Sequence, residues 1–457
     1  MNIFGSSGVR GVVGERMTPS FVERLAATAG TVLDAEAVAL ARDTRTTGEM
    51  FVDAAASGLA SVGCSVYRLG IVPTPGAQAF AERNEIPTMM ITASHNPPQY
   101  NGIKLIGENG VELTEQALER IESRFAEDRI DVVEYANVGT SHWVDNARET
   151  YVEELLEQLK VLGLHGSIEA AELTVVLDPG HGAGCLTSPR FFRELGCRVI
   201  TLNAQPDGRF PGRDPEPVAE NLADLRRLVR TSGADLGIAH DGDADRAIFV
   251  DENGAHIDGD ASFAALTANE LSAGDVAVSA VNVSQRVVDV VTESDATLEL
   301  TPIGSTHLIT RIEALRNENV QVPIAGEGNG GILFPNYRIA RDGAYTAARF
   351  LALLTERPAS EIVAKYSGYK MVRENVEYAN ADERRVMLNA AKSYAETADA
   401  ELTTLDGYRL DYGDAWVLVR PSGTEPLIRL YAEARNRDRA ETLLKACRDA
   451  VHAVRGS

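Results

Sequence analysis

Short aliphatic runs that close on a charged or turn residue alternate with stretches of helical periodicity through most of this 457-residue chain. Val38-Ala-Leu-Ala-Arg-Asp43, Leu173-Thr-Val-Val-Leu-Asp178, Cys197-Arg-Val-Ile-Thr-Leu202 and Asp235-Leu-Gly-Ile-Ala-His240 are the clearest runs. Alternation of this kind predicts α/β domains, in which helices cover a sheet. Thr18-Pro19 marks one helix start, with Thr as N-cap and Pro at the first helical position, leading into Phe21-Val-Glu-Arg-Leu-Ala. The recurrence of strand-then-Asp at 43, 178 and 241 hints at repeated units.

A chain of this length divides into about three or four domains. A polar stretch near 135 to 150 precedes a helical pattern from Tyr151, a second boundary follows the Asp241 loop, and a third follows Arg357-Pro-Ala-Ser. Beyond it, two helices enclose a hairpin-rich stretch from Leu402 to Glu433, as in a smaller α+β domain. The expected units are 1–147, 148–246, 247–355 and 356–457.

Charge restricts the partners. A net charge of −23 argues against nucleic acid, whose phosphates require a basic face. Only six of the 44 basic residues are Lys (104, 160, 365, 370, 392 and 445), and so acidic a surface with so little lysine suggests a salt-adapted cytoplasm. No apolar run approaches the roughly 18 residues of a membrane helix, and the N-terminus lacks a signal-peptide pattern, so a cytoplasmic protein is expected. Cys64, Cys185, Cys197 and Cys447 are scattered, as reduced and mostly buried thiols would be. No sequence feature specifies an oligomeric state.

Four segments carry chemistry. Thr92-Ala-Ser-His-Asn-Pro-Pro-Gln-Tyr-Asn-Gly-Ile-Lys104 combines a nucleophile-capable serine with a histidine and a lysine just past a strand-like run, where open α/β sheets place ligands. Asp241-Gly-Asp-Ala-Asp-Arg246 sets three carboxylates at alternate positions, able to converge on a hard cation. An EF-hand loop also has acids at positions 1, 3, 5 and 12, and Glu252 fits the last, but position 6 requires Gly and holds Arg246. Mg²⁺ suits the segment better than Ca²⁺. Gly326-Glu-Gly-Asn-Gly-Gly331 matches a dinucleotide fingerprint in letters alone, because an extended run follows where a helix is needed. Glu327 and Asn329 suit vicinal hydroxyls instead. Arg420-Pro-Ser-Gly-Thr-Glu-Pro-Leu-Ile-Arg429 gathers the donors that a phosphate dianion wants.

Together and in this order, the four segments resemble the α-D-phosphohexomutase superfamily, and specifically its archaeal phosphomannomutase, phosphoglucomutase and phosphoglucosamine mutase members. The resemblance spans essentially the whole chain. It implies three similar α/β domains with mixed sheets and a smaller C-terminal α+β domain resembling the TATA-box-binding protein, around a central cleft. Each domain then supplies one loop: phosphoserine, Mg²⁺, sugar and phosphate. It further implies Ser94 as the phosphoserine, with Asp241, Asp243 and Asp245 holding Mg²⁺ together with a Ser94 phosphoryl oxygen. Arg246 matches a phosphoryl contact, Glu327 and Asn329 the sugar readers, and Arg420, Ser422, Gly423, Thr424 and Arg429 the grip on the non-transferring phosphate. Arg10 and Lys104 match positions that move protons or stabilise charge, and His95 the neighbour of the phosphoserine.

The reaction so implied interconverts hexose 1- and 6-phosphates through a bound 1,6-bisphosphate, which also serves as activator. Bacterial relatives often read Gly-Glu-x-Ser-Gly-His in the sugar loop, where this chain has Asn329 and Gly331. Their imidazole is absent here, so its proton-transfer role does not carry over: Lys104, an aspartate or water is left as general base, and His307, in Gly304-Ser-Thr-His, is a lone histidine that more often serves structure. A metal-dependent sugar-phosphate phosphatase is the alternative reading, though such enzymes typically carry the phosphoryl group on Asp.

Overall fold

The computed structural model describes residues 3–5, 7–422 and 426–453. Four sheets follow one another along the chain. The first runs Val9–Val12, Tyr100–Ile106, Thr88–Ile91, Ala37–Arg42, Ser65–Ile71, Ser141–Trp143. The second runs His256–Ile257, Ile248–Asp251, Leu236–Ala239, Thr174–Asp178, Arg198–Thr201. The third runs Thr297–Thr301, Val276–Ala280, Ala325–Gly326, Ile332–Phe334, Arg338–Arg341. The fourth, wholly antiparallel, runs Lys370–Glu377, Leu427–Ala434, Ala415–Pro421, Tyr408–Asp411, Glu401–Thr403 and packs against the helices Ala381–Thr397 and Arg437–His452.

One device recurs in the first three. The third strand in each order pairs parallel on one side (Thr88–Ile91 with Ala37–Arg42, Leu236–Ala239 with Thr174–Asp178, Ala325–Gly326 with Val276–Ala280). On the other side it pairs antiparallel with the strand that follows it directly. These strands are buried throughout, as their uninterrupted apolar runs require. Each connection to the antiparallel neighbour is one of the chemistry-bearing loops, and the fourth such loop joins Ala415–Pro421 to Leu427–Ala434.

The expected helix start is present: Thr18 Oγ1 accepts the Phe21 N–H ahead of the helix Pro19–Leu33. Two expected details need correction. The division at 246/247 cuts through the second sheet, because Ile248–Asp251 pairs residue for residue with Leu236–Ala239. The helix Ala359–Ala364, expected with the last unit, buries Ala359 and Ile362 in the core under the second and third sheets. Among the described residues no helix is long and apolar enough to cross a membrane. All four cysteines are buried and free.

Candidate active site

Ser94 lies three residues past the strand Thr88–Ile91, with a left-handed φ of 49°. A non-glycine residue there costs about 1–3 kcal/mol and persists only where its surroundings over-determine it. They do: its N–H donates to Thr92 Oγ1 (2.8 Å), and Arg45, wholly buried, donates to the carbonyls of Ser94 (2.9 Å), Asn96 (2.5 Å), Pro97 (2.7 Å) and Tyr100 (2.8 Å). Asp43 fixes Arg45 in turn at 3.1 Å and accepts the Thr92 hydroxyl. Ser94 Oγ is thereby aimed at the second sheet's loop, donating to Asp241 Oδ2 at 2.6 Å. The two loops touch backbone to backbone, since a Cβ on Gly242 would stand 2.5 Å from the Ser94 carbonyl oxygen.

Asp241, Asp243 and Asp245 converge, fully buried. Lys104, from the strand Tyr100–Ile106, places Nζ 2.8 Å from both Asp243 Oδ2 and Asp245 Oδ2. Thr74 donates to Asp243 Oδ2 (2.6 Å), Arg341 to Asp245 Oδ2 (2.7 Å), and Arg246 Nε stands 3.8 Å from both Asp241 and Asp245. Burial and mutual repulsion push Asp241 well above the ordinary carboxylate range. The same forces act on Asp243, but Lys104 outweighs them and holds it low; Arg341 and Lys104 do so for Asp245. Burial disfavours the Lys104 ammonium, yet Asp243, Asp245 and Glu112 more than restore it.

His95 Nδ1 is 3.3 Å from Ser94 Oγ, and burial, then Arg246 and Arg10, keep the ring neutral. Arg10 donates to Asn96 Oδ1 at 3.1 Å. Behind the metal loop, Arg213 binds Asp178 (2.9 Å) and the His240 carbonyl (2.6 Å), an arrangement that parallels Asp43 with Arg45. The strand-then-Asp repetition therefore holds for 43 and 178, whereas Asp241 belongs to a different strand of its sheet.

In the third sheet's loop, Glu327 is buried, and Asn329 donates to it at 3.3 Å while accepting the Gly331 N–H. The strand Ile332–Phe334 follows without a helix, which excludes the dinucleotide reading. A Cβ on Gly328 would stand 2.1 Å from Asp260 Oδ1, so this loop rests on the start of the helix Gly259–Glu270. In the fourth sheet Arg420 lies directly across from Arg429, and its Nε donates to Asp406, which also accepts the Ile303 N–H. Ser422 is buried; Gly423 and Thr424 lie outside the described residues. His307 stands at the seam between first and third sheets, 4.0 Å from the exposed Glu115.

Sequence reading missed Asp43, Arg45, Thr74, Glu112 and Arg341. The strand-then-Asp pattern pointed toward the first two; no local signal marks the others, which matter only through partners at least 96 residues away.

Four successive sheets, the first three built on one plan and each carrying one of the chemistry-bearing loops, match the architecture of the phosphohexomutases. Models of the phosphoglucomutase/phosphomannomutase alpha/beta/alpha domains I, II and III match residues 1–130, 149–254 and 258–369, and that of the C-terminal domain matches 374–450. The chain is 38% identical to a phosphoglucomutase/phosphomannomutase of Thermococcus kodakarensis over 97% of each sequence. It is 39% identical to a probable phosphoglucosamine mutase of Methanopyrus kandleri, over 96% of this chain and 95% of the relative. A phosphoglucomutase/phosphomannomutase family protein of Burkholderia thailandensis superposes with a TM-score of 0.85 at 26% identity, covering 100% of this chain and 98% of the other. The chain belongs to the phosphoglucomutase/phosphomannomutase family of the α-D-phosphohexomutase superfamily.

Proposed function

We propose that the chain interconverts hexose 1- and 6-phosphates, glucosamine, mannose and glucose phosphates being the candidate substrates, with Ser94 as phosphoryl carrier. The observation that carries this reading is Ser94 Oγ held 2.6 Å from Asp241 inside a buried cluster of three aspartates. Asp243 Oδ1 and Asp245 Oδ1 are buried and have no hydrogen-bond partner among the described residues. Hard oxygen donors with open lone pairs fit Mg²⁺, which Asp241, Asp243, Asp245 and a Ser94 phosphoryl oxygen would hold. When bound, the ion supplies charge neutralisation at the transferring phosphoryl group.

The chain's own residues do the rest. A phosphorylated Ser94 brings about −1.5 to −2 charges beside three carboxylates, and Lys104, Arg246 and Arg10 are the cations that offset them. Phosphoryl transfer depends chiefly on such charge stabilisation and on alignment. The bond from Ser94 Oγ to phosphorus breaks as that to the sugar hydroxyl oxygen forms, and the proton lost by the hydroxyl is balanced by the one that Ser94 Oγ gains. The resulting 1,6-bisphosphate reorients and returns its other phosphoryl group to Ser94. Glu327 and Asn329 read sugar hydroxyls, while Arg420, Ser422, Gly423, Thr424 and Arg429 hold whichever phosphate is not reacting. A phosphatase has no use for this second phosphate grip.

The test combines intact mass with a coupled assay on glucose 1-phosphate, mannose 1-phosphate and glucosamine 6-phosphate, primed with the bisphosphate. Expected are one phosphoryl group, lost in Ser94→Ala, and Mg²⁺-dependent isomerisation abolished by chelation. Net release of inorganic phosphate as the main reaction would reject the reading. The charge of −23 and the scarcity of lysine support a salt-adapted cytoplasmic enzyme. Dialysis to low salt should then loosen the fold, and indifference to salt would sink that part.

A further inference from the structure

Gly331 ends the sugar loop without a side chain, and the space beside it is filled from elsewhere. A Cβ on Gly331 would stand 2.7 Å from Arg341 Cδ and 3.5 Å from its Nη1. Arg341 reaches this point because the strand Arg338–Arg341 folds back antiparallel on Ile332–Phe334, which places Arg341 across from Leu333. Its side chain is 4% exposed and donates to Asp245 Oδ2 at 2.7 Å, with Glu112 Oε1 at 3.9 Å. Asp245, Glu112, Glu327 and Asp243 together hold the guanidinium charged against the cost of burial.

We propose that Arg341 is a further positioning residue of the reaction: its Cδ methylene occupies the place of a side chain at residue 331 while its guanidinium binds Asp245, and together they lock the sugar loop in register with the metal loop. Asp245 and Glu327 belong to loops of different sheets, and the distance between them sets where a sugar hydroxyl lies relative to Ser94. The guanidinium reaches Asp245 and approaches Glu112 through one nitrogen, Nη2, while its stem packs on Gly331, a combination of reach and apolar contact that a shorter side chain does not reproduce. Because arginine keeps its proton, the device holds geometry and charge without titrating. Glu112 accepts the Ser305 hydroxyl at 3.0 Å, so the first sheet's unit braces the same assembly.

The inference rests on the mutase reading, and wild-type turnover of a hexose phosphate is the control that separates the two: a wild type that isomerises none of the panel sinks both. With an active wild type, kcat, KM and Tm are measured for Arg341→Met, Arg341→Lys, Arg341→Ala, Gly331→Ala and the Gly331→Ala/Arg341→Ala double variant. Misalignment on the order of 1 Å costs about 100-fold, so Arg341→Met should lose about that in kcat with KM within about 3-fold, and Arg341→Lys should stay within about 10-fold of it. Gly331→Ala should lower both kcat and Tm in the wild type but cost clearly less in the Arg341→Ala background, which removes the Cδ that its methyl would meet, while Asn329 Oδ1, 3.0 Å from that methyl, keeps part of the penalty. Full kcat in Arg341→Met, a loss confined to KM, full rescue by Lys, or an equal Gly331→Ala penalty in both backgrounds would overturn the proposal.

Discussion

Around the metal loop every carboxylate has a cation within 4 Å: Arg246 for Asp241, and Lys104 for both Asp243 and Asp245. On the sugar side the arrangement is looser. Asp260 has no hydrogen-bond partner among the described residues, and Arg420 is held by one carboxylate that also serves the Ile303 N–H. The difference suits the proposed function. A phosphoryl carrier at Ser94 would meet the same chemistry in every half-reaction and gain from a fixed electrostatic frame, whereas the proposed sugar side would receive a ligand in two orientations and need donors that can change partners.

Removing Lys104 is expected to break this contrast most severely. Lys104→Met leaves Asp243 and Asp245 buried without their shared cation. A kcat loss of about 10³-fold is expected, with a Tm that rises with Mg²⁺ far more steeply than in the wild type; parallel Mg²⁺ titrations of Tm check this. Next comes Arg45→Met, which touches no ligand but frees Asp43 and four loop carbonyls. Breaking so buried a pair costs about 3–5 kcal/mol, visible in denaturant unfolding. On the looser side, Arg420→Met should raise KM about 10-fold with kcat within about 3-fold, because the lost contact holds ground state and transition state alike.

The smallest effect belongs to Asp260, whose carboxyl is pushed up to about 7 by burial and by Asp258 and Glu433. Between its unfolded value of 3.8 and about 7 the folded chain holds the extra proton, so this group lowers stability as pH rises through that window. Asp260→Asn should therefore raise Tm by about 2 °C at pH 8 and leave it unchanged at pH 4. Equal shifts at both values would show that the carboxylate is as well accommodated as those of the metal loop.

The strands and the four loops were legible because each is local: an apolar run, a turn, and polar side chains at alternate positions. The relation between loops was only partly legible. Asp43 ends a strand as Asp178 does, and the repetition is visible in one dimension, but nothing near Thr74, Glu112 or Arg341 shows that they converge on the aspartate loop. The division at 246 failed for a related reason. A tight turn carrying three acids resembles a domain edge in sequence, while the antiparallel return of Ile248–Asp251 appears only when strands pair.

Ser94 and Asp241, in contact through one hydrogen bond, are separated by 147 positions along the chain. During synthesis the serine's own sheet can close long before the aspartates have been made, and Arg341 follows about a hundred residues later still. A nascent chain therefore carries a well-shaped serine loop with nothing to act on it. The buried cluster around Ser94 is complete only when loops of three sheets have come together, so its formation reports on the assembly of all three.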